Sequence, residues 1–273
     1  MRRSRIKTQC FLSSRFYRQF LLLALGLLLL SSWGCVAVNQ NHLTQTSTID
    51  ALLAGIYDGE MSCAELLDYG DFGIGTFDHL DGEMVVLDGT VYQVKIDGGV
   101  YKPAKGLHTP FACVCDFTSD KNFVVKPGLK YRDLKKLLDK IVPNQNVFVA
   151  VRIDGTFKRL KVRSVPAQTK PYKPLAEVIK HQQTFVLENV EGTVVGFRLP
   201  PFVKGINVPG YHFHFLNLTR DAGGHILELE TSSAVCRLDT LTKFTLILPE
   251  DQAALAEVDL SKDRSHALEK VEH

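Results

Sequence analysis

The segment Tyr211-His212-Phe213-His214-Phe215, answered by Gly223-Gly224-His225, constrains the fold more than any other stretch of this 273-residue chain. Side chains alternate between faces along a β-strand, so His212 and His214 project to one side while Tyr211, Phe213 and Phe215 pack on the other. Asn217 to Gly224 is rich in turn formers, and a reversal there starts a second strand with His225 beside His214. Three imidazoles then converge on one sheet face. Catalytic zinc sites use three protein ligands and leave a position open for water or substrate, whereas structural sites close with four, usually including cysteine. No cysteine lies near enough in sequence to suggest closure. The competing reading is three separately packed histidines, each of which would need its own partner in a half-buried hairpin. The spacing therefore predicts a zinc ion held by His212, His214 and His225, although imidazoles also suit copper, iron and nickel.

The start of the chain reads as an export signal. No acidic residue precedes Asp50, while Arg2, Arg3, Arg5, Lys7, Arg15 and Arg18 lead into the apolar run Phe20 to Leu30. That run is shorter than the roughly 20 apolar residues needed to span a bilayer, and it ends in small residues up to Cys35. Residues 1–34 are thus expected to be a signal peptide. The Gly34-Cys35 junction resembles a bacterial lipoprotein processing site, with Ser32 where a leucine is usual. Lipid attachment at Cys35 and simple cleavage with secretion are both open, and either places the protein outside the cytoplasm. Losing residues 1–34 removes six of 32 Lys and Arg and none of 30 Asp and Glu, so 26 remain against 30 and the net charge goes from +2 to −4. A chain of that charge with no clustered basic face is not expected to bind nucleic acid. The remaining cysteines, Cys63, Cys113, Cys115 and Cys236, read as core thiols, because an i, i+2 pair such as Cys113 and Cys115 rarely bridges.

Turn signals and hydrophobic periodicity predict an α+β, β-rich fold: two mixed β-sheet domains with a few flanking helices and the metal site between them. Residues 35–46 read as a linker, 47–166 as the N-terminal β-rich domain, and 167–273 as the C-terminal β domain that carries the histidines. In the first domain, Ser47-Thr48 caps a helix over 51–57, a second short helix covers 63–69, and Asp-Gly turns at 81–82, 88–89 and 97–98 punctuate a meander. Leu134, Leu137, Leu138 and Ile141 form a helical stripe, and 147–153 and 157–165 read as a hairpin about Asp154-Gly155. The Pro-rich stretch 166–174 marks the boundary. A helix over 175–181 and strands over 192–199, 211–218, 225–230 and 241–248 follow, with a charged, weakly helical tail.

A catalytic ion needs charged neighbours. Glu83 follows the Asp81-Gly82 turn and alternates with Val85 and Leu87, so it points to an apolar face unless it stays in water at the strand start. Arg163 shares a strand face with Arg159 and Lys161, and by pattern alone that row is a solvated edge. Beyond these patterns, Gly70-Asp71-Phe72-Gly73-Ile74-Gly75-Thr76-Phe77, Leu80-Asp81-Gly82-Glu83, Arg152-Ile153-Asp154-Gly155, Gly192-Thr193-Val194-Val195-Gly196-Phe197, Tyr211 to Phe215 and Gly223-Gly224-His225 together resemble the motifs of bacterial α-acetolactate decarboxylases.

The resemblance runs from about Ser47 to the tail. It implies two β-rich domains meeting around zinc, a homodimer, His212, His214 and His225 as ligands, Arg163 as an active-site arginine, Glu83 as a carboxylate beside the metal, and Thr76 near the pocket. It also implies a second glutamate on a tail that returns to the site, with Glu272 the better match and Glu269 the rival. The implied reaction converts (S)-2-acetolactate, a small 2-hydroxy-3-oxo acid, into (R)-acetoin and carbon dioxide. Loss of carbon dioxide leaves electrons that flow onto the neighbouring ketone oxygen, so the residues must supply an electron sink, an anion clamp and a proton donor. Other readings of the three histidines are a carbonic anhydrase-like zinc hydratase, a non-catalytic exported zinc-binding lipoprotein, and a cupin-like iron oxygenase. The hydratase has no use for an arginine and two glutamates, the binding module would carry a mobile His-rich tract, and the oxygenase needs a glutamate between the histidines that residues 215–224 lack.

Overall fold

The computed structural model describes residues 41–250 and 253–272. The expected signal peptide and Cys35 lie outside the described residues. Seven strands, β1 (His42–Thr46), β3 (Phe72–Thr76), β4 (Glu83–Leu87), β5 (Thr90–Val94), β6 (Val100–Tyr101), β8 (Ala112–Cys115) and β14 (Lys243–Ile247), form one sheet in the order β14-β1-β8-β3-β4-β5-β6. Its β1–β14 pairing is parallel and the others are antiparallel. A short ribbon joins β2 (Met61–Ser62) to β7 (His108–Thr109). Five more strands, β9 (Lys121–Val125), β10 (Phe148–Ser164), β11 (Gln183–Leu199), β12 (Gly210–Asn217) and β13 (Gly223–Leu241), make the second sheet in the order β10-β11-β12-β13-β9. Because β10 also pairs with β13, β10 to β13 close into a ring. The fold is β-rich, as the sequence leads one to expect, with six α-helices among the described residues: α1 (Ile49–Leu53), α2 (Cys63–Leu66), α3 (Tyr131–Ile141), α4 (Leu175–Val178), α5 (Ala253–Ala256) and α6 (Ser265–Glu272).

Period-two patterning explains how the layers meet. In β4, Met84 and Val86 pack outward with Cys63 and Leu66, while Val85 and Leu87 face the second sheet, where they meet Val195, Phe197 and Leu216. In β12, Phe213 and Phe215 turn into the ring with Val151, Ile153 and Ile226, and Leu134 and Leu138 of α3 cap that interior. Burying each such aromatic or aliphatic side chain contributes roughly 1.5–3 kcal/mol. The opposite face of β12, which carries His212 and His214, is left to look toward the first sheet. The Asp88-Gly89 loop between β4 and β5 has φ of 50° and 69°, the two positive values that the tight hairpin turn requires. Cys63, Cys113, Cys115 and Cys236 are buried free thiols. Burial pushes the Cys113 and Cys236 thiols up to about 12, so they stay protonated and inert near neutral pH.

Several expectations are corrected. Residues 42–46 are not linker: β1 lies between β14 and β8, and Leu43 and Gln45 are fully buried. The polar pattern His-Leu-Thr-Gln-Thr conceals this because Gln45 is satisfied by the Ser47 and Ile206 carbonyls at 2.7 Å and by the Asn207 amide at 2.6 Å. Asp154-Gly155 does not reverse the chain, and 148–164 is one strand. Asp154 is instead held by Arg152, Arg237 and Thr193, and a Cβ at Gly155 would stand 2.2 Å from the Ser233 carbonyl oxygen, so the glycine serves a close strand approach. β11 and β13 extend well past the expected 192–199 and 225–230. Helices expected over 51–57 and 63–69 cover 49–53 and 63–66, the first capped by the Thr48 hydroxyl and the second by a Ser62–Glu65 capping box. Finally, the sheets do not part at residue 166. β9 and β10 precede it yet belong to the histidine-bearing sheet, β14 follows it yet completes the other, and the described residues form one compact unit.

Candidate metal centre

The hairpin of β12 and β13 assembles the three histidines as the alternation requires. His214 pairs directly with His225 across the two strands, and His212 lies two residues before His214 on the same face. Asn217 closes the turn: its backbone N–H donates to the Ala222 carbonyl at 2.9 Å, and its side-chain oxygen accepts from the Asp221 and Ala222 amides. The ring centroids stand 5.1 Å (His212–His214), 4.9 Å (His212–His225) and 5.4 Å (His214–His225) apart. One ligand atom from each lies within 4.8 Å of the others. His212 Nε2 and His225 Nδ1 are 3.1 Å apart, against roughly 3.4 Å for two nitrogens sharing a tetrahedral zinc ion at its usual bond length.

The protonation pattern suits a metal. Burial and then the Arg163 charge push His212 down to about 3, and burial followed by His212 holds His214 well below its ordinary value, so both rings are neutral near pH 7 and keep a lone pair. His214 Nδ1 sits 2.8 Å from the Met84 carbonyl oxygen, which can only accept, so Nδ1 carries the proton and Nε2 the lone pair. That Nε2 is buried without a hydrogen-bond partner and stands 3.4 Å from Glu83 Oε2; His212 Nδ1 is likewise unpartnered. Two lone-pair atoms facing each other in a buried site call for a proton or a cation between them, and three imidazoles with a carboxylate beside them are a donor set that fits zinc.

Glu83 and Arg163 are where the residue pattern alone left them ambiguous. Glu83 opens β4, points between the sheets and is buried, so its solvated alternative is excluded. Burial pushes its carboxyl up to about 7, with Arg163 opposing and Glu272 adding to the rise; a divalent cation beside it would lower it again. Arg163 does share a face with Arg159 and Lys161, yet it is only 4% exposed because the end of β10 sets it against Glu83 of β4 and Val271 of α6, whereas Arg159 and Lys161 face Glu228 nearer the solvent. Arg163 pairs with His225 across β10 and β13. Gly224 makes that approach possible, since a Cβ there would lie 2.5 Å from the Arg163 carbonyl oxygen at a φ of 139°. The guanidinium donates from Nη1 to Glu83 Oε1 at 3.2 Å and from Nη2 to the Val271 carbonyl at 3.1 Å.

Glu272 ends α6, and its Oε2 lies 3.9 Å from His225 Nε2, with the side chain buried. Glu269 is on the solvent side, 73% exposed and 4.0 Å from His266, so of the two rivals only Glu272 reaches the histidines. Thr76 also borders the site, its hydroxyl donating to the Gly82 carbonyl at 2.7 Å. Together these groups enclose a small cavity whose other walls are apolar, including Ile49 and Leu52 of α1, Leu80 and Leu175. The two backbone carbonyls, of Met84 and Val271, escape sequence reasoning because any residue type supplies a carbonyl. The α1 wall carries a detectable signal, the apolar helix stripe behind the Thr48 cap.

Residues 43–262 match the α-acetolactate decarboxylase family profile. The chain belongs to the α-acetolactate decarboxylase family. It is 47% identical over 230 residues to the α-acetolactate decarboxylase of Methanosarcina mazei, covering 84% of this chain and 80% of that protein. The Bacillus subtilis family member is 37% identical over 227 residues, covering 82% of this chain and 89% of that protein. A crystal structure of the enzyme from Bacillus subtilis strain 168 superposes with a TM-score of 0.82 at 36% identity over 85% of this chain and 99% of that one. A Staphylococcus aureus protein described as similar to α-acetolactate decarboxylase gives 0.79 at 29% identity over 84% of this chain and 98% of that one. The family match ends before α6, so the position of Glu272 rests on the geometry alone.

Proposed function

We propose that this protein is a zinc-dependent carboxy-lyase that converts (S)-2-acetolactate to (R)-acetoin and carbon dioxide. The observation that carries this reading is the unpartnered His214 Nε2 facing Glu83 beside two further histidines, in a chain of this family. Zinc bound by His212, His214 and His225 supplies a Lewis acid, a contribution on the order of several kcal/mol toward charge developing on the ketone oxygen. The chain's own residues do the rest. The Arg163 guanidinium, a planar fork, orients the substrate carboxylate and stabilises negative charge as the bond to that carboxyl breaks. The apolar walls keep water from the carbon left electron-rich. The Oε2 atoms of Glu83 and Glu272, held by different elements against His214 and His225, are the two positions from which a proton can be delivered to that carbon, and delivery to one face fixes the hand of the acetoin.

A hydratase reading gains nothing here, since bound hydroxide and a small gas molecule need neither the arginine fork nor two carboxylates. Incubating the protein with racemic acetolactate is expected to release carbon dioxide and yield (R)-acetoin in proportion. Carbon dioxide hydration without acetoin would replace this proposal with the hydratase. We also propose that the protein is exported, on the strength of the basic and apolar run in residues 1–34. The mass of the N-terminal peptide of the mature protein tests this: a chain beginning at Cys35, with or without lipid, is expected, and a chain retaining residues 1–34 would contradict it.

A further inference from the structure

The cavity at the histidines has a volume of about 40 Å³. A single water needs roughly 10–15 Å³ on this measure, so about three waters fill it. A substrate of five carbons and four oxygens is larger than that space, and a wall that moved aside would make room for it. About half of the lining residues sit on strands hydrogen-bonded within the sheets, β3 and β4 on one side and β10, β12 and β13 on the other, while Ile49, Leu52, Leu80, Phe111, Val165 and Leu175 belong to a buried apolar cluster.

The last turn of α6 differs from these walls in bordering a second cavity as well. Val271 and Glu272 close the inner cavity, while Ser265, Leu268, Glu269 and Glu272 line a second, outer cavity of about 570 Å³. Glu272 borders both and is the partition between them. α6 is seated by Ala267, Leu268 and Val271 against α4 and its neighbours, and His266, Glu269 and Lys270 are exposed. Its start is tied by two ion pairs, Lys204–Asp263 at 3.0 Å and Arg264–Asp50 at 3.7 Å. Such a helix buries few apolar side chains and separates at much lower free energy than a central strand.

The contact that holds this turn closed comes from the site itself. Arg163 gives Nη2 to the Val271 carbonyl and Nη1 to Glu83, while its Nε is buried without a partner. We infer that α6 is a gate: it opens to admit substrate from the outer cavity, and its closing, latched by Arg163 on Val271, carries Glu272 to its place beside His225. The unpartnered Nε is the donor left for a substrate carboxylate while the latch is closed, and closing excludes water as it completes the set of proton donors.

This inference rests on the decarboxylase reading. Its test is hydrogen exchange on the full-length, zinc-loaded protein with and without saturating 2,3-dihydroxy-2-methylbutanoate, which keeps the substrate's carboxylate and hydroxyl but replaces the ketone with an alcohol. The amides of 265–272 are expected to exchange about tenfold more slowly with the compound bound, while those of β1 do not change. Leu268→Ser, which loosens the seat of α6 without touching the inner cavity, is expected to speed exchange in α6 and raise KM about tenfold with zinc content retained. Unaltered α6 exchange on binding overturns the gate, as does faster exchange in Leu268→Ser with wild-type KM. A wild-type protein that makes no acetoin sinks the decarboxylase reading instead.

Discussion

His212→Ala is expected to lose its bound zinc and to form acetoin more than about a thousandfold more slowly, since a Lewis-acid contribution near 4 kcal/mol corresponds to that factor. Two imidazoles remain in the variant, and a catalytic zinc site depends on three protein ligands. The effect on the fold is expected to differ between the two states. Without metal, His212 Nδ1 is a buried polar atom with no partner, so truncation removes an unsatisfied group and leaves thermal stability near that of the metal-free wild type. With zinc present, the wild type gains stability by mass action and the variant does not. Metal analysis, calorimetry with and without zinc, and steady-state rates read these outcomes separately. Wild-type turnover in a zinc-free His212→Ala protein would remove the metal from the account.

Arg163→Ala is expected to lower kcat by roughly two to three orders of magnitude while zinc stays bound, the range for removing one preorganised group that stabilises developing negative charge. It also leaves Glu83 without its guanidinium partner in a buried site, a change that costs about 3–5 kcal/mol of stability. The two effects separate in the double variant Arg163→Ala with Glu83→Gln. Removing the orphaned charge restores stability, and activity does not return because both the clamp and one carboxylate are gone. Arg163→Lys is expected to behave like Arg163→Ala in rate, because a single ammonium cannot reach Glu83 and the Val271 carbonyl together. Retained kcat in either single variant would take Arg163 out of the chemistry.

The site was more legible in the sequence than the architecture around it. His212, His214 and His225 could be placed because strand alternation and a turn-rich loop act over fifteen residues, where local geometry decides everything. For Glu83 the same alternation left two readings, an apolar face or a solvated strand start, and its burial between the sheets decides for the first. Arg163 could not be read from its row of basic neighbours, since a strand pattern gives the face and not what covers it; burial begins where the end of β10 meets Glu83 of β4 and Val271 of α6. Glu272 is a similar case, a residue in the last helix made significant by packing of Val271 and Leu268 against α4. The fold was misread where polar composition or an Asp-Gly pair outweighed long-range pairing. β1 looks like a linker because its buried Gln45 side chain is satisfied by Ile206 and Asn207, some 160 positions away, and Gly155 looks like a turn because the close strand that requires a glycine there, β13, is distant in sequence. Likewise no local signal announces that β14 leaves the histidine domain to pair with β1.

The proposed chemistry depends on one divalent cation held by the three histidines. Anomalous diffraction recorded on both sides of the zinc absorption edge from crystals of the purified protein tests it most directly. The expected result is a single peak bonded to His212, His214 and His225, lost after chelation together with acetoin formation and regained with zinc. A protein that decarboxylates acetolactate at full rate with no anomalous peak on these nitrogens would contradict it.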